Sequence, residues 1–164
     1  MLRIFLSLIL FFSVLSVSAD EDPMLVNVKR ISMETALKIA KAAVDACRKE
    51  AIQVGVTVVD RTGQTQVVLR DVLAPELTLT VSQQKAYTAV SFNLATSVME
   101  DRFKSPFSVG KVEGLVFGGG GLPIQAGGRI LGAVGVSGAP SGKTDEKCAK
   151  AGIAAVIDDL EMAE

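Results

Sequence analysis

The sequence predicts an α+β fold: a single-domain sandwich in which a mostly antiparallel sheet is flanked by helices. Three observations carry that expectation. Apolar residues recur at helical spacing near both ends of the chain. Two stretches rich in β-formers fold back across glycine-bearing turns, as hairpins do. At 164 residues the chain suits one core, with no internal repeat and no long linker.

The first residues read as an address. Arg3 gives a positive start, Ile4 to Val17 is an apolar run broken only by serines, and Val17-Ser18-Ala19 closes it with small residues before Asp20, Glu21 and Asp22. That is the layout of a secretory signal peptide, residues 1–19, cut after Ala19. The run is shorter than the roughly 18 residues a bilayer span needs. Residues 20–30 form an N-terminal extension and residues 31–164 the domain. Cleavage leaves 16 cationic against 18 acidic side chains. The mature chain is expected to be periplasmic or secreted and not membrane-spanning.

In the domain, Ser32 caps a helix over Met33–Ala51, with Ala36, Leu37, Ala40, Val44 and Cys47 on one side. Ile52–Val59 is a β-branched strand. Asp60-Arg61-Thr62-Gly63 turns it into a second strand, Gln64 to Arg70. A helix follows over Val81–Phe92, capped by Thr80. A shorter one over Ser97–Phe103 carries a capping box, Ser97 with Glu100. Leu115–Phe117 reads as a short strand or loop edge before four glycines, Gly118 to Gly121. Leu122–Gln125 and Arg129–Ser137 make a second hairpin across Gly127-Gly128. Thr144 caps the last helix, with Asp145 and Glu146 at its positive end.

Composition excludes several functions. The chain has no histidine, so Ser-His-Asp and Cys-His catalysis, His-ligated zinc and His-ligated haem are all closed to it. Lys and Arg balance Asp and Glu without clustering, which argues against a nucleic-acid partner. Tryptophan is absent and Tyr87 is the one tyrosine, so base-stacking platforms are missing too. Cys47 and Cys148 lie on apolar helix faces. They pair if the first and last helices lie side by side, and otherwise pack as small buried thiols.

Three motifs look chemical. Gly138 to Thr144 resembles a phosphate-binding loop, but Gly138 stands one residue too close to Gly142-Lys143-Thr144, which leaves a turn and a cap. Ser82-Gln83-Gln84-Lys85 has the Ser-x-x-Lys spacing of penicillin-binding enzymes, yet no Lys-Thr-Gly follows; it reads as a helix start with a solvated lysine. Gly118 to Gly121 either cradles an anion with bare amides or simply connects two strands. No residue is assigned a catalytic role.

Gly120-Gly121-Leu122-Pro123-Ile124 followed by Gly128 to Gly138 resembles the GlcG/HbpS-like haem-binding family. Val58-Val59-Asp60 before a glycine turn, Lys85 to Ala89 and Asp145-Glu146 support the likeness, which spans roughly residues 30–162. The resemblance implies an α/β sandwich, homo-oligomers and, in several members, secretion and haem binding. It makes haem or a related tetrapyrrole the leading small-molecule ligand and cofactor. An accessory protein or enzyme binding a small 2-hydroxy acid such as glycolate, through the glycine loop with Lys111 or Arg129, is the alternative. Without histidine, Tyr87 is the leading metal ligand for haem iron, with Met99, Thr88 and the two cysteines as the other donors. Lys85, Arg102, Lys104 and Lys111 are candidates for the propionates, and Gly119, Gly120 and Gly121 for the pocket wall.

Overall fold

The computed structural model describes residues 24–102 and 109–163. The expected signal peptide and Lys104 lie outside them. The order of elements is α1 (Met33–Arg48), β1 (Gly55–Asp60), β2 (Thr65–Arg70), α2 (Leu77–Phe92), two 3-10 turns (Thr96–Met99 and Val109–Lys111), β3 (Gly121–Ala126), β4 (Arg129–Ser137), α3 (Gly142–Ala154) and α4 (Ile157–Met162). The strands form one sheet in the order β2-β1-β4-β3, antiparallel at every step. The expected α+β sandwich is the observed one.

Alternation along β1 and β4 decides what each face receives. Val54, Val56 and Val58, with Val134 and Val136, point to one side. There α1 and α3 bury Ile39, Ala40, Ala43, Val44 and Ala149 against them. Gly55, Thr57 and Val59, with Ala133 and Gly135, point to the other side, where α2 lies. These residues are small, so α2 comes down almost onto the strand backbone. A Cβ on Gly135 would stand 2.0 Å from the Ser82 carbonyl oxygen. Thr57 and Ser82 share a buried hydroxyl–hydroxyl hydrogen bond of 2.8 Å at the same contact.

Cys47 and Cys148 are bonded, which joins α1 to α3 over the same sheet face. This settles the open alternative in favour of the disulfide. Ser32 caps α1 as expected, accepting from the Thr35 amide; such a cap contributes about 1 kcal/mol.

Several boundaries differ from the expectation. α1 stops at Arg48 because Ala51 turns to φ +59°. α2 begins four residues before Val81, at Leu77, with Glu76 at its N-cap and the Pro75 carbonyl accepting from Thr78. Thr80 therefore lies inside the helix rather than capping it. The capping box at Ser97 does not form: its Glu100 bonds elsewhere, and the described turn is 3-10, Thr96–Met99. Of the two alternatives for Leu115–Phe117, short strand or loop edge, the loop is observed. Ser141, not Thr144, caps α3, accepting from the Thr144 amide.

Two buried carboxylates tie the loops to the body. Asp60 accepts from the amides of Thr62 and Gln64 and from the Thr62 hydroxyl, with Arg30 3.3 Å away. Burial opposes its charge, but those bonds outweigh it and hold its carboxyl below the ordinary 3.8. Asp71 takes a two-pronged bond from Arg48, at 2.7 and 2.9 Å, across 23 residues. That bond, against the opposing cost of burial, lowers its pKa too. Carboxyls lowered in the folded state stabilise it above their unfolded value and lose that contribution as pH falls through the folded one. Thermal stability is therefore expected to fall off below about pH 4. An Asp60→Asn, Asp71→Asn double variant should be less stable at pH 7 but show a flatter decline, measured by Tm across pH 2–7.

Candidate functional site

The sequence places Lys85, Tyr87 and Thr88 within one turn of α2, and the helix sends them to different places. Tyr87 points outward. Its ring rests on the β1–β2 turn, where a Cβ on Gly63 would stand 2.8 Å from the ring edge. Gly63 has φ +85°, so backbone and neighbour both exclude a side chain there. Thr80, Gln83, Gln84 and Gly114 complete an open groove of about 240 Å³ around the ring. Tyr87 is 42% exposed, and its hydroxyl makes no hydrogen bond among the described residues. A half-exposed phenol at a groove is the strongest hard donor this chain offers to ferric iron. In that respect the donor set fits a haem.

Lys85 points inward and is only 6% exposed. Its ammonium donates to Asp145 Oδ2 at 2.8 Å and to the Val136 carbonyl at 3.0 Å. The solvated lysine read from the Ser-x-x-Lys spacing is thus buried and paired, and Ser82 bonds Thr57 instead of it. Its charge is held inside the chain, away from Tyr87. Burial pushes the Asp145 carboxyl up, against the pull of Lys85 and of the Ala139 amide that Oδ1 accepts from. This pair crosses from α2 to α3 at the start of β3.

The four glycines explain how. Gly120 has φ +123°, and a Cβ there would meet the Val136 carbonyl at 2.6 Å, Asp145 at 2.7 Å and the Lys85 ammonium at 2.9 Å. The glycine leaves the gap through which Lys85 reaches its partner. Gly121 lies against the Lys85 carbonyl, and Gly119 against Gly142 at the head of α3. The amides are not bare: Gly119 N donates to Glu100 Oε1 at 2.8 Å and Gly121 N to Thr96 Oγ1 at 2.9 Å. Of the two readings of this segment, the connector holds for these positions. An anion cradle would need those amides free.

Thr88 is fully buried. Its hydroxyl donates to the Gln84 carbonyl and accepts from the Val116 amide, which pins the segment between Gly114 and Gly121 to α2. Met99 is fully buried as well. Arg102 and Lys111 are exposed, and Lys111 lies three residues before Gly114 of the groove wall. The structure therefore brings together Lys85, Gly120, Gly121 and Asp145 as an internal brace, and leaves Tyr87 alone at a surface groove. Asp145 and Glu100 are partners that the sequence does not single out. Their signal in the sequence was weak, an acidic residue in a first turn and one in an apparent capping box.

The HbpS-like family model, described as haem-degrading protein HbpS-like, matches residues 31–154. A double mutant of HbpS from Streptomyces reticuli is 39% identical, with a TM-score of 0.77, over 83% of this chain and 93% of that one. A PduOC–haem complex is 27% identical, with a TM-score of 0.71, over 77% of this chain and 94% of that one. Among curated proteins, an uncharacterised 15.0 kDa protein from the dhaT-dhaS intergenic region of Citrobacter freundii is 31% identical over 117 residues, 68% of this chain and 82% of its own length.

Proposed function

This chain belongs to the HbpS-like family, and from that premise we propose that it is an exported protein that binds or sequesters haem as a homo-oligomer, with Tyr87 as the iron ligand. The observation that carries the reading is Tyr87 itself: a lone phenol, half exposed, without a hydroxyl hydrogen bond among the described residues and seated in a groove, on the fold that the PduOC protein uses in a haem complex. Bound haem would supply the ferric centre; the chain supplies the oxygen donor, the groove walls at Gly63, Gln84 and Gly114, and exposed cations such as Lys111 for the propionates. The buried Cys47–Cys148 bond supports export, because such bonds persist in oxidising compartments. N-terminal sequencing of the mature protein should begin at Asp20.

Haemin titrated into the mature protein should give a saturable Soret shift. Coordination displaces the phenol proton, so binding should strengthen as pH rises. Tyr87→Phe keeps the ring on Gly63 and removes only the oxygen. It is expected to abolish the tyrosinate charge-transfer band and weaken haemin at least tenfold, about 1.4 kcal/mol. An unchanged spectrum and affinity would return Tyr87 to a packing role. A slow loss of the Soret band in the presence of reductant and oxygen would identify degradation, the activity in the family's description.

A further inference from the structure

The loop between β2 and α2 is tied down at nearly every residue. Asp71 holds Arg48 with both carboxylate oxygens and accepts from the Val72 amide. The Leu73 amide donates to Gln53 Oε1 at 2.6 Å, the Ala74 amide to the Asp71 carbonyl at 3.0 Å, and Arg70 to the Ala74 carbonyl. Ala74 is buried. Yet three aliphatic side chains on this frame face solvent: Val72 is 77% exposed, Leu73 75% and Leu77 66%. Turning them inward would break those bonds. An apolar tip fixed in this way loses little freedom when it docks. It lies at the end of the sheet where β1 begins and β2 and β4 finish, with Gly55 paired to Arg70 and to Ser137. Around it Asp71 neutralises Arg48 and Glu50 neutralises Lys147. Lys49 and Arg70 are exposed there and outnumber Glu76.

We propose that Val72, Leu73 and Leu77 insert into the headgroup layer of a lipid bilayer, and that this docking sets the foot of the Tyr87 groove at the membrane surface, where a tetrapyrrole is taken up from the lipid. Three aliphatic side chains fall well short of the roughly 800 Å² that each partner of a stable protein complex buries. A lipid interface asks for less: apolar groups that enter the acyl boundary and cations beside them for the phosphates. It also asks that the entering backbone be satisfied from within, as the bonds of Leu73 and Ala74 ensure. Among the described residues no helix is long and apolar enough to cross a membrane, so the contact is peripheral. The link to the groove runs along α2. Leu77, Thr80, Gln84 and Tyr87 follow at spacings of three, four and three, which sets them on one stripe. Thr80, Gln84 and Tyr87 line the groove, and Leu77 continues it downward. At about 1.5 Å per residue, Tyr87 stands about 15 Å above Leu77. A ligand leaving the bilayer beside Leu77 therefore meets the lower end of the groove first.

The uptake rests on the haem reading above, whereas the docking does not, and two readouts separate them. Flotation of the haem-free mature protein with phosphatidylcholine vesicles containing phosphatidylglycerol tests the docking. The wild type should float with the vesicles. A Val72→Ser, Leu73→Ser double variant should bind them at least tenfold more weakly, with unchanged circular dichroism and Tm because both side chains are exposed. Met162→Ser removes an apolar group of α4 that is just as exposed, at 79%, and should leave flotation as it is. A wild type that stays out of the lipid, a double variant that floats like it, or a Met162→Ser protein weakened as much would overturn the docking. So would a lower light-scattering mass of the double variant, which would make the tip a contact between copies. For the uptake, haemin preloaded in the vesicles should pass to the wild type at least tenfold faster than to the double variant, while both bind dissolved haemin equally. Equal transfer rates would overturn the uptake and leave the docking standing. If the wild type takes up no haemin from solution either, the haem reading and the uptake fall together, and flotation still decides the docking.

Discussion

Reduction of Cys47–Cys148, or replacement of both residues by serine, is expected to lower the unfolding free energy by about 2–5 kcal/mol. The bond closes a loop with a sequence separation of 101. For a loop of about 100 residues, the chain-entropy relation gives roughly 4.7 kcal/mol at 25 °C, an upper figure because denatured chains keep some structure. The site is also unforgiving of serine, since both cysteines are buried between α1 and α3. Close by, Gly152 packs on the Ile39 carbonyl and Ala43, so the two helices touch without spacer atoms. A Tm depressed by about 10 °C in reductant is the expected observation. An unmoved Tm would mean that the α1–α3 contact holds by packing alone.

Asp145→Ala should be comparably costly, about 3–5 kcal/mol, because it strands the Lys85 ammonium in the interior with only the Val136 carbonyl. The pair itself need not be worth that much. Burying two charges costs nearly what their attraction returns, so Lys85→Met with Asp145→Leu is expected to recover most of the loss. Urea unfolding of the single and double variants measures the difference. The same series bears on the site. If Lys85 is a brace and not a ligand-facing cation, the double variant should keep the haemin spectrum of the parent, since Tyr87 points to the opposite side of α2.

The ease with which the fold could be read, and the difficulty of the site, have one origin. β1, β2 and β4 announce themselves because they alternate or run β-branched between turn residues, and α1 because its apolar residues recur at helical spacing. α2 does not. The face it buries consists of Thr78, Ser82, Lys85, Ala86, Thr88, Ala89 and Val90, more than half of them polar. A polar residue in a sequence is read as facing water unless its partner is known. The partners of Lys85, Thr88 and Thr96 are Asp145, Val116 and the glycine segment, all far along the chain. Tyr87 stands out in the sequence for its chemistry, and its outward position follows from the opposite placement of Lys85, two residues away on the helix. The disulfide needed one fact that no spacing supplies, that α1 and α3 lie side by side.

The sheet order has a consequence in time. β1 and β2 form early as a local hairpin, but a hairpin alone is marginal in water. Its central neighbour is β4: Gly55 pairs with Ser137 and Asp60 with Gly132. The helix that closes α1 over the core is α3, later still. The central strand pairing of β1 and the α3 cover of α1 thus wait for the last third of the chain, and distant pairings of this kind slow folding because loop closure must precede any gain. A nascent chain of this topology is expected to reach its full stability only when β4 and α3 have been made. For the export proposed above, that delay would favour a threadable polypeptide, and the Cys47–Cys148 bond can form only after Cys148 has crossed.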